Sequence, residues 1–563
     1  MNLKNVTSFL MAILLPFQVF SMKANEAMMH EALDIIKHTF KVQYAPSDWK
    51  KQHAGWDLNR EIEKARDKIK KQSKNKTLPL KDFHKILRDF FNSTKDYHVA
   101  ITFYSTEMAC LPFKVKGAEG RYFITWVDKD RINDHSLAIG DELLEFNGKP
   151  VHEVVTKLKN EEMLSSNEET DYGLAEVNLT SRIGALGFSV PKGPVKLKIK
   201  HKNKKASVLN LEWDYFDEKI SPRKAPISQE NTHKDYIREL IAKPFELASW
   251  PILKEANSDF EEGPHDVGSK ISYIPALGKK IWEAKQSAIF HAYLFEHNNK
   301  KIGFLRIPSY HGEAEEIEEF ETLISFMQKN SDALIIDQVN NPGGSAFYLY
   351  ALASMLTDKP LYPPKHKMSI TQREVMLSLI VLPILEQIQS DLEAKEVIGD
   401  TLEGIPVDFE TAQCFINYYN YIIDEWNAGR SITKPFSLAG FDYINPHPKC
   451  RYTKDILILT NSLDFSCADF FPAIMQDAKR AKIFGSRTAG AGGYIATADF
   501  PNILGIANYR YTGSIAERAN LKPIENLGVT PDIPYKLTAE DLLTDCEPLK
   551  KALLKAVDDL FIK

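Results

Sequence analysis

The stretch NSLDFSCADFFPAIMQD, residues 461–477, directly follows the apolar run DILILT, residues 455–460. Beyond the small and polar residues at its start, apolar residues return at helical spacing, at Phe470, Phe471, Ile474 and Met475. The pattern predicts a buried strand, a sharp turn and a helix, with Ser466 at the turn. A serine in this place either caps the helix or is displayed as a nucleophile.

The composition indicates a large globular protein. A chain of 563 residues is too long for one core, and about 100 to 200 residues per domain predicts about three domains. Hydrophobic residues make up 44% and aromatic residues 11%, which excludes a disordered chain. The net charge of −5, with both signs interspersed, provides no basic field for nucleic acid. The five cysteines are widely scattered and lack metal-ligand spacing, so no disulfide framework is expected.

The N-terminus resembles an export signal. Residues 1–21, MNLKNVTSFLMAILLPFQVFS, contain one lysine, an apolar stretch of about fifteen residues, and Val19 and Ser21 in the arrangement of a cleavage site. We expect a signal peptide, export through the Sec pathway, and a periplasmic or secreted protein. A membrane anchor, the alternative, needs about 20 apolar residues. No membrane span is expected in the mature chain, because the apolar run at 376–385 is short and broken by Pro383.

The periodicity of the sequence divides the chain into regions. Residues 22–110 predict helices followed by the strand-like run YHVAITFYS, and residues 111–213 predict a β-rich unit with an Asn-Gly hairpin turn. Residues 214–300 mix prolines, charges and short apolar runs, which indicates an exposed connection. Residues 301–563 alternate strands and helices, with an all-helical insert at about 371–429. The predicted fold class is multidomain α/β (α+β), with a mixed sheet in the last region.

A second turn is suited to oxyanion chemistry. In IIDQVNNPGGS, residues 335–345, a buried strand leads into Pro342, Gly343 and Gly344. Glycines allow positive φ and leave the backbone amides unhindered by side chains. A tight turn is the alternative interpretation of this motif taken alone.

Together, the two stretches resemble the S41 peptidases, which include the C-terminal processing proteases and the tricorn core. LAIGDELLEFNGKPV, residues 137–151, is similar to the PDZ domain that these enzymes insert. The resemblance spans most of residues 96–535 and implies a serine endopeptidase that acts on proteins or peptides, with no metal or organic cofactor. The PDZ-like unit would either bind peptide tails or serve as a spacer.

The resemblance also implies which side chains carry the reaction. Processing proteases pair the serine with a lysine on the return strand, but no lysine lies between Gly485 and Lys522. Arg487 cannot replace it, because a guanidinium remains protonated. The tricorn-like branch uses His and Glu instead. The resemblance of KDYHVAITFYS, FSCADF and PIENLGVTPDIPY to that branch implies a base, a nucleophile and an orienting carboxylate, namely His98, Ser466 and Glu525.

Several assignments stay open at this point. The alternatives for the orienting carboxylate are Asp96, Glu517 and Asp532, of which Asp532 lies between prolines and favours a structural role. The oxyanion hole is assigned to the N–H groups of Gly344 and Cys467, with Gly343 as the alternative to Gly344. The side chain of Cys467 is expected to point away from Ser466.

The resemblance has implications beyond the site. It implies a homodimer and a zymogen that cuts itself within residues 214–300, which would act as a linker and inhibitory segment. It further implies a virulence factor of an intracellular bacterium, with export into a host cell as an alternative to a periplasmic location. A competing hypothesis is a non-catalytic binding protein, in which the PDZ-like domain recruits partners and the protease fold is relict.

Overall fold

The computed structural model describes residues 26–74, 77–132, 136–202, 205–218, 267–285, 289–312, 314–501 and 503–562. The helices are α1 (Glu26–Gln43), α2 (Ser47–Ala54), α3 (Leu58–Ser73), α4 (Leu80–Ser93), α5 (Val151–Glu162), α6 (Glu168–Thr180), α7 (Ala314–Asn330), α8 (Ala346–Ser354), α9 (Gln372–Leu385), α10 (Asp391–Ile398), α11 (Phe409–Asn427), α12 (Cys467–Asp477), α13 (Ala539–Leu543) and α14 (Glu547–Leu560).

The strands form one large mixed sheet, a PDZ-like sheet and smaller sheets. They are β1 (Ala100–Phe103), β2 (Met108–Cys110), β3 (Phe113–Ala118), β4 (Arg121–Val127), β5 (Glu142–Phe146), β6 (Lys149–Pro150), β7 (Ser181–Ile183), β8 (Pro194–Lys200), β9 (Ala206–Glu212), β10 (Asp214–Phe216), β11 (Lys280–Glu283), β12 (His291–His297), β13 (Lys300–Arg306), β14 (Ala333–Asp337), β15 (Lys365–Met368), β16 (Thr401–Leu402), β17 (Ile405–Pro406), β18 (Phe436–Ser437), β19 (Asp455–Thr460), β20 (Lys482–Gly485), β21 (Ile495–Asp499), β22 (Ile506–Thr512), β23 (Ser514–Glu517) and β24 (Ile533–Pro534).

The large sheet has the strand order β11-β12-β13-β14-β19-β20-β24. Its first three strands pair antiparallel, and the strands from β13 to β24 run parallel. A parallel sheet is covered on both faces, which explains why ALIID in β14 is apolar almost throughout and fully buried. Leu334 and Ile336 belong to the core beneath α8 and α12, whereas Ile335 packs on the opposite face with Leu553 of α14. The predicted α/β class and mixed sheet are confirmed.

The pairing of β14 with β19 positions the two sequence motifs. Asp337, the last residue of β14, lies opposite Leu459, one residue before the end of β19. Because the strands are parallel, both chains leave the sheet at the same edge. The turn at 338–345 and the turn at 461–466 are therefore neighbours.

The PDZ-like unit contains the sheet β3-β4-β5-β8-β9, with β6 paired to β5. The predicted hairpin turn is present, and Asn147 and Gly148 both have positive φ, 51° and 74°. Helices α5 and α6 pack against each other, and Val155 and Leu174 belong to the same core as Val195 of the sheet. A short sheet of β2, β7 and β10 closes the unit at its chain ends.

The N-terminal helices are fixed to the C-terminal region through β1. This strand follows α4 and pairs antiparallel with β22, with Ala100 opposite Arg510. Phe91 of α4 contacts Tyr509 edge to face, with the ring centroids 5.7 Å apart. His98 lies two residues before β1. The pairing of β1 with β22 therefore brings His98 close to the C-terminal region, from which it is distant in sequence.

The structure differs from the expected organisation at two places. Strands β11 and β12 lie inside the stretch 214–300, so the large sheet begins before residue 301, with a β12–β13 hairpin that turns at Asn298 and Asn299. The helical insert is interrupted by the β16–β17 hairpin, where Glu403 and Gly404 both take positive φ. These two strands have only two residues each, and so short a pattern of apolar residues does not distinguish a strand from a helix.

Other expectations concern residues outside the described part of the chain. The predicted signal peptide, residues 1–21, and the central part of the predicted inhibitory segment, residues 219–266, belong to this group. Among the helices that the structure describes, none is both long enough and apolar enough to cross a membrane.

Candidate active site

Ser466 lies at a sharp turn between β19 and α12. Its φ of 58° and ψ of −116° fall in a region that non-glycine residues rarely adopt, which holds the residue away from both the strand and the helix. Its side chain is buried, and within the described residues its Oγ has no hydrogen-bond partner. The hydroxyl therefore does not cap the helix.

Asp469, three residues later, fixes this turn. Its carboxylate accepts hydrogen bonds from the N–H groups of Ser466 (2.9 Å), Gly490 (2.8 Å) and Ala491 (2.9 Å), and from the hydroxyl of Thr488. Burial raises the pKa of Asp469 to about 7, and these donors oppose the rise. The carboxylate thus joins the serine turn to the segment that follows β20.

The Asn-Pro-Gly-Gly turn is bonded closely to the serine turn. The N–H of Phe465 donates to the carbonyl of Asn341 over 2.9 Å, and the N–H of Asn341 donates to Asp464 Oδ1 over 3.1 Å. Asn340 and Asn461 form two further bonds, from the Asn340 N–H to Asn461 Oδ1 (3.0 Å) and from Asn461 Nδ2 to Asn340 Oδ1 (2.7 Å). The relative position of the two turns is therefore fixed by buried polar contacts.

The two glycines of this turn differ in the availability of their N–H groups. The N–H of Gly343 donates to Asn341 Oδ1 over 2.8 Å. Within the described residues the N–H of Gly344 has no acceptor, and neither has that of Cys467, the first residue of α12. Cys467 Sγ contacts the carbonyl of Gly344 at 3.2 Å, so the two residues are adjacent. Gly344 rather than Gly343 thus has an N–H available beside the serine helix.

His98 lies in the loop between α4 and β1 and is 5% exposed. Its backbone N–H donates to Asp96 Oδ1 over 2.9 Å. Neither ring nitrogen has a hydrogen-bond partner within the described residues. Burial lowers the pKa of His98 to about 4, and the neighbouring Asp96 opposes the shift, so the ring is neutral at pH 7.

Glu525 is fully buried in the loop after β23. Its Oε2 accepts a hydrogen bond from the N–H of Gly492 over 2.9 Å, and its Oε1 forms an ion pair with Lys50 of α2. Burial raises the pKa of Glu525, Asp96 adds to the rise, and Lys50 opposes it.

The other carboxylates considered from the sequence occupy different environments. Asp532 accepts a hydrogen bond from the N–H of Ile483 over 2.9 Å at the sheet edge, and Glu517 forms an ion pair with Lys367. Asp96 lies beside His98, but its described bonds go to the His98 backbone, the Tyr44 hydroxyl and the Thr512 hydroxyl, each at 2.9 Å. Asp96 therefore shapes the loop that carries His98.

The structure brings the predicted residues into one neighbourhood without bonding them to one another. His98, Pro342 and Phe465 line a cavity of about 70 Å³, which places His98 beside both active-site turns. Among the described residues, however, no hydrogen bond joins His98 to Ser466 or to Glu525. Formation of a hydrogen-bonded triad requires these side chains to move.

The sequence of the last region matches peptidase family S41 over residues 301–535, and residues 107–220 match a PDZ domain. A protein from Chlamydia trachomatis serovar D is 36% identical, over 95% of this chain and 92% of its own length. One from Chlamydia muridarum is 36% identical, over 91% and 89%. The chain belongs to peptidase family S41. Mature CPAF, solved with lactacystin, is 33% identical to this S41 chain, with a TM-score of 0.80 over 94% of this chain and 98% of CPAF.

The likeness extends over the whole architecture. Another structure of mature CPAF is 32% identical and has a TM-score of 0.80, over 94% of this chain and 97% of that one. This S41 member is therefore a serine-type peptidase of the CPAF type, with a PDZ domain in addition to the peptidase domain.

Two residues around the site, Asp469 and Lys50, were not predicted from the sequence. The role of Asp469 could have been predicted, because an acidic residue three positions after a serine at a helix start suggests a capping arrangement. The role of Lys50 could not have been predicted. Lys50 and Lys51 are adjacent in the sequence, and the burial of Lys50 but not of Lys51 depends on packing against distant loops.

We predict that Gly343→Ala inactivates the enzyme. Gly343 has a φ of +93°, and a Cβ there would lie 2.7 Å from Ser466 Cβ and 3.0 Å from the Cys467 nitrogen. The control is Gly148→Ala, with a φ of +74° and nothing within 4 Å of the new Cβ. The control should lose about 1 to 2 kcal/mol of unfolding free energy and keep its activity. Equal casein cleavage by the two variants would contradict the close approach.

We predict that His98 makes folding pH-dependent. The pKa of the buried ring is about 4, below the ordinary value of about 6.5, so its stabilising contribution is present above pH 6.5 and is lost as the pH falls toward 4. Between pH 7 and pH 5, Ser466→Ala protein should lose about 2 kcal/mol more unfolding free energy than Ser466→Ala/His98→Gln protein. Urea denaturation measures this difference. Equal losses of unfolding free energy in the two proteins would show that the ring is not buried in the neutral form.

Proposed function

We propose that the protein is a secreted serine endopeptidase that cleaves protein substrates through an acyl-enzyme formed on Ser466. The observation that carries the proposal is the strained backbone of Ser466, whose buried hydroxyl has no hydrogen-bond partner among the described residues and whose turn lies against the Gly343-Gly344 turn. A serine kept in such a conformation and left without a hydrogen bond suits a nucleophile better than a structural residue.

The proposed reaction begins with proton transfer from Ser466 to His98. Ser466 Oγ forms a bond to the carbonyl carbon of the scissile peptide, and the carbonyl oxygen takes the negative charge. The N–H groups of Gly344 and Cys467 donate to this oxyanion. His98 then transfers the proton to the leaving amine as the C–N bond breaks. Water, deprotonated by His98, attacks the ester carbonyl, and His98 returns the proton to Ser466 Oγ as the C–O bond to the serine breaks.

His98 is assigned as the base because its imidazole is neutral and lies beside the serine turn. Glu525 is assigned as the carboxylate that orients the ring and stabilises the imidazolium. The contacts of Asp96 and Asp532 with backbone N–H groups support structural roles for those residues. The motion that would bring Glu525 to His98 belongs to the proposal.

We also propose that the chain is a zymogen. Ser466 has no exposed surface and His98 has 5%, so a polypeptide substrate cannot reach the hydroxyl in this conformation. Activation by cleavage in the inhibitory segment would allow the site to open. A tethered segment has an effective concentration of about a millimolar, so even weak binding keeps such a site closed. We further propose that the protein is exported through the Sec pathway and forms a homodimer.

A non-catalytic binding role is the second candidate. The PDZ domain favours it, because PDZ domains bind peptide termini by strand addition. It does not account for the uncapped, strained serine.

We predict that Ser466→Ala abolishes cleavage of casein and leaves the fold intact, because losing a buried hydroxyl without a hydrogen bond creates no large cavity. The matched control is Cys467→Ala, which retains the backbone N–H of the proposed oxyanion hole and should keep activity. Casein assays on protein freed of other proteases measure both variants. Full activity of the Ser466→Ala variant would show that another residue is the nucleophile.

We predict that wild-type protein cuts itself near residues 220–265, whereas the Ser466→Ala variant stays full-length. If dimerisation promotes the first cut, the lag before cleavage should shorten as the protein concentration rises. Gel electrophoresis over time at several concentrations measures the lag. Full activity in uncut protein would contradict the zymogen, and a lag independent of concentration would contradict the dimer-dependent step.

A further inference from the structure

Lys50 is a buried cation beside Glu525. It lies in α2, its side chain has no exposed surface, and its ammonium forms an ion pair with the carboxylate of Glu525. Removing a charge from water is costly unless every donor is satisfied. A lysine is seldom fully buried without a specific set of partners.

The ammonium has three N–H donors, and the structure supplies three acceptors. Besides Glu525 Oε1, Lys50 Nζ donates to Asn526 Oδ1 over 2.8 Å and to the carbonyl of Lys95 over 2.9 Å. These three contacts use all three donors of the ammonium group and fix the side chain in place. This arrangement excludes Lys50 as a general base in this conformation.

The acceptors belong to the two loops that carry His98 and Glu525. Lys95 precedes His98 by three residues, and Glu525 and Asn526 belong to the loop after β23. Asn526 reinforces the connection, since its Nδ2 donates to the carbonyl of Lys95 over 2.7 Å and to Ser166 Oγ over 2.9 Å. Lys50 therefore joins the histidine loop to the glutamate loop.

We propose that Lys50 is a positioning residue for peptide hydrolysis, which places a positive charge against the buried carboxyl group of Glu525 and holds the His98 loop at a fixed distance from it. The inference rests on the proposed function, because it assigns a role to Glu525 in that reaction. It identifies a charge supplied by the N-terminal helices as part of the reaction machinery of the peptidase domain.

The charges around Glu525 show why a cation is needed. The carboxylate is faced by Lys50 from α2, by Asp96 from the histidine loop and by the Tyr44 phenol from the segment before α2. The guanidinium of Arg487 reaches the carbonyl of Asn526 at 3.2 Å, on the other side of the loop. Burial and Asp96 both raise the pKa of Glu525, whereas Lys50 and, to a smaller extent, the N–H of Gly492 lower it.

The experiment compares pH profiles of kcat/KM for self-processed wild-type enzyme and for Lys50→Met, each with and without Glu525→Gln. Without Lys50 the pKa of Glu525 should rise, which moves the acid limb of the profile to higher pH and lowers kcat/KM at pH 7 by about tenfold for each unit. Loss of the Lys50 charge also affects the pKa of His98. The shift of the acid limb caused by Lys50→Met must therefore be larger in protein with Glu525 than in the Glu525→Gln background.

The control is Lys198→Met, which breaks the 2.6 Å ion pair between Lys198 and Glu145 in the PDZ-like sheet and should leave the profile unchanged. Lys50→Arg, which keeps the charge, should retain the wild-type acid limb even if its maximal rate falls. If Lys50→Met does not fold, Lys50→Gln takes its place, with the same expected shift. Active-site labelling with a fluorophosphonate normalises each rate to folded enzyme.

Two results would overturn the inference. An acid limb that stays in place in the Lys50 variants would leave Lys50 with a structural role, and equal shifts with and without Glu525 would mean that it acts through His98. A failure of the proposed function is distinguishable, because Glu525→Gln alone would then retain full kcat/KM.

Discussion

The parallel pairing of β14 with β19 is the constraint on which the site depends. Two apolar strands, distant in sequence, are buried side by side and end at the same edge of the sheet. The Asn-Pro-Gly-Gly turn and the serine turn are consequently adjacent, and buried Asn and Asp side chains fix their separation. The available amides of Gly344 and Cys467 and the strained Ser466 all follow from this pairing.

The remaining parts of the site come from outside the large sheet. His98 reaches it because β1 pairs with β22 and the N-terminal helices pack against that pair. Glu525 reaches it from the loop after β23, where Lys50 partners its buried carboxylate. These two contributions depend on buried polar contacts, which tolerate displacement poorly because an unpaired buried charge is costly. A change in the N-terminal helices can therefore alter the chemistry of the peptidase domain.

The elements around Ser466 were predictable because their signals are local. Buried strands give continuous apolar runs, and glycines mark the turn that follows β14. The family could be predicted from these motifs in combination. Lys50 could not, because its burial depends on loops more than 40 residues away in one direction and 470 in the other. Strand β11 was missed because a short edge strand with charged residues looks like an exposed connection, and β12 because its apolar run, residues 292–295, is brief. The lack of a hydrogen bond to the His98 ring or the Ser466 hydroxyl from any described residue is a property of side-chain placement, which sequence periodicity does not encode.

The central claim, that Ser466 is a nucleophile activated by His98, is tested most directly by mapping a covalent adduct. The self-processed protein would be treated with a fluorophosphonate, digested, and analysed by mass spectrometry, in parallel with the His98→Gln variant. Our account predicts an adduct on Ser466, formed at least 100-fold more slowly in the variant, in line with the usual contribution of a general base. An adduct on a different serine, or equal rates of labelling in the two proteins, would contradict it.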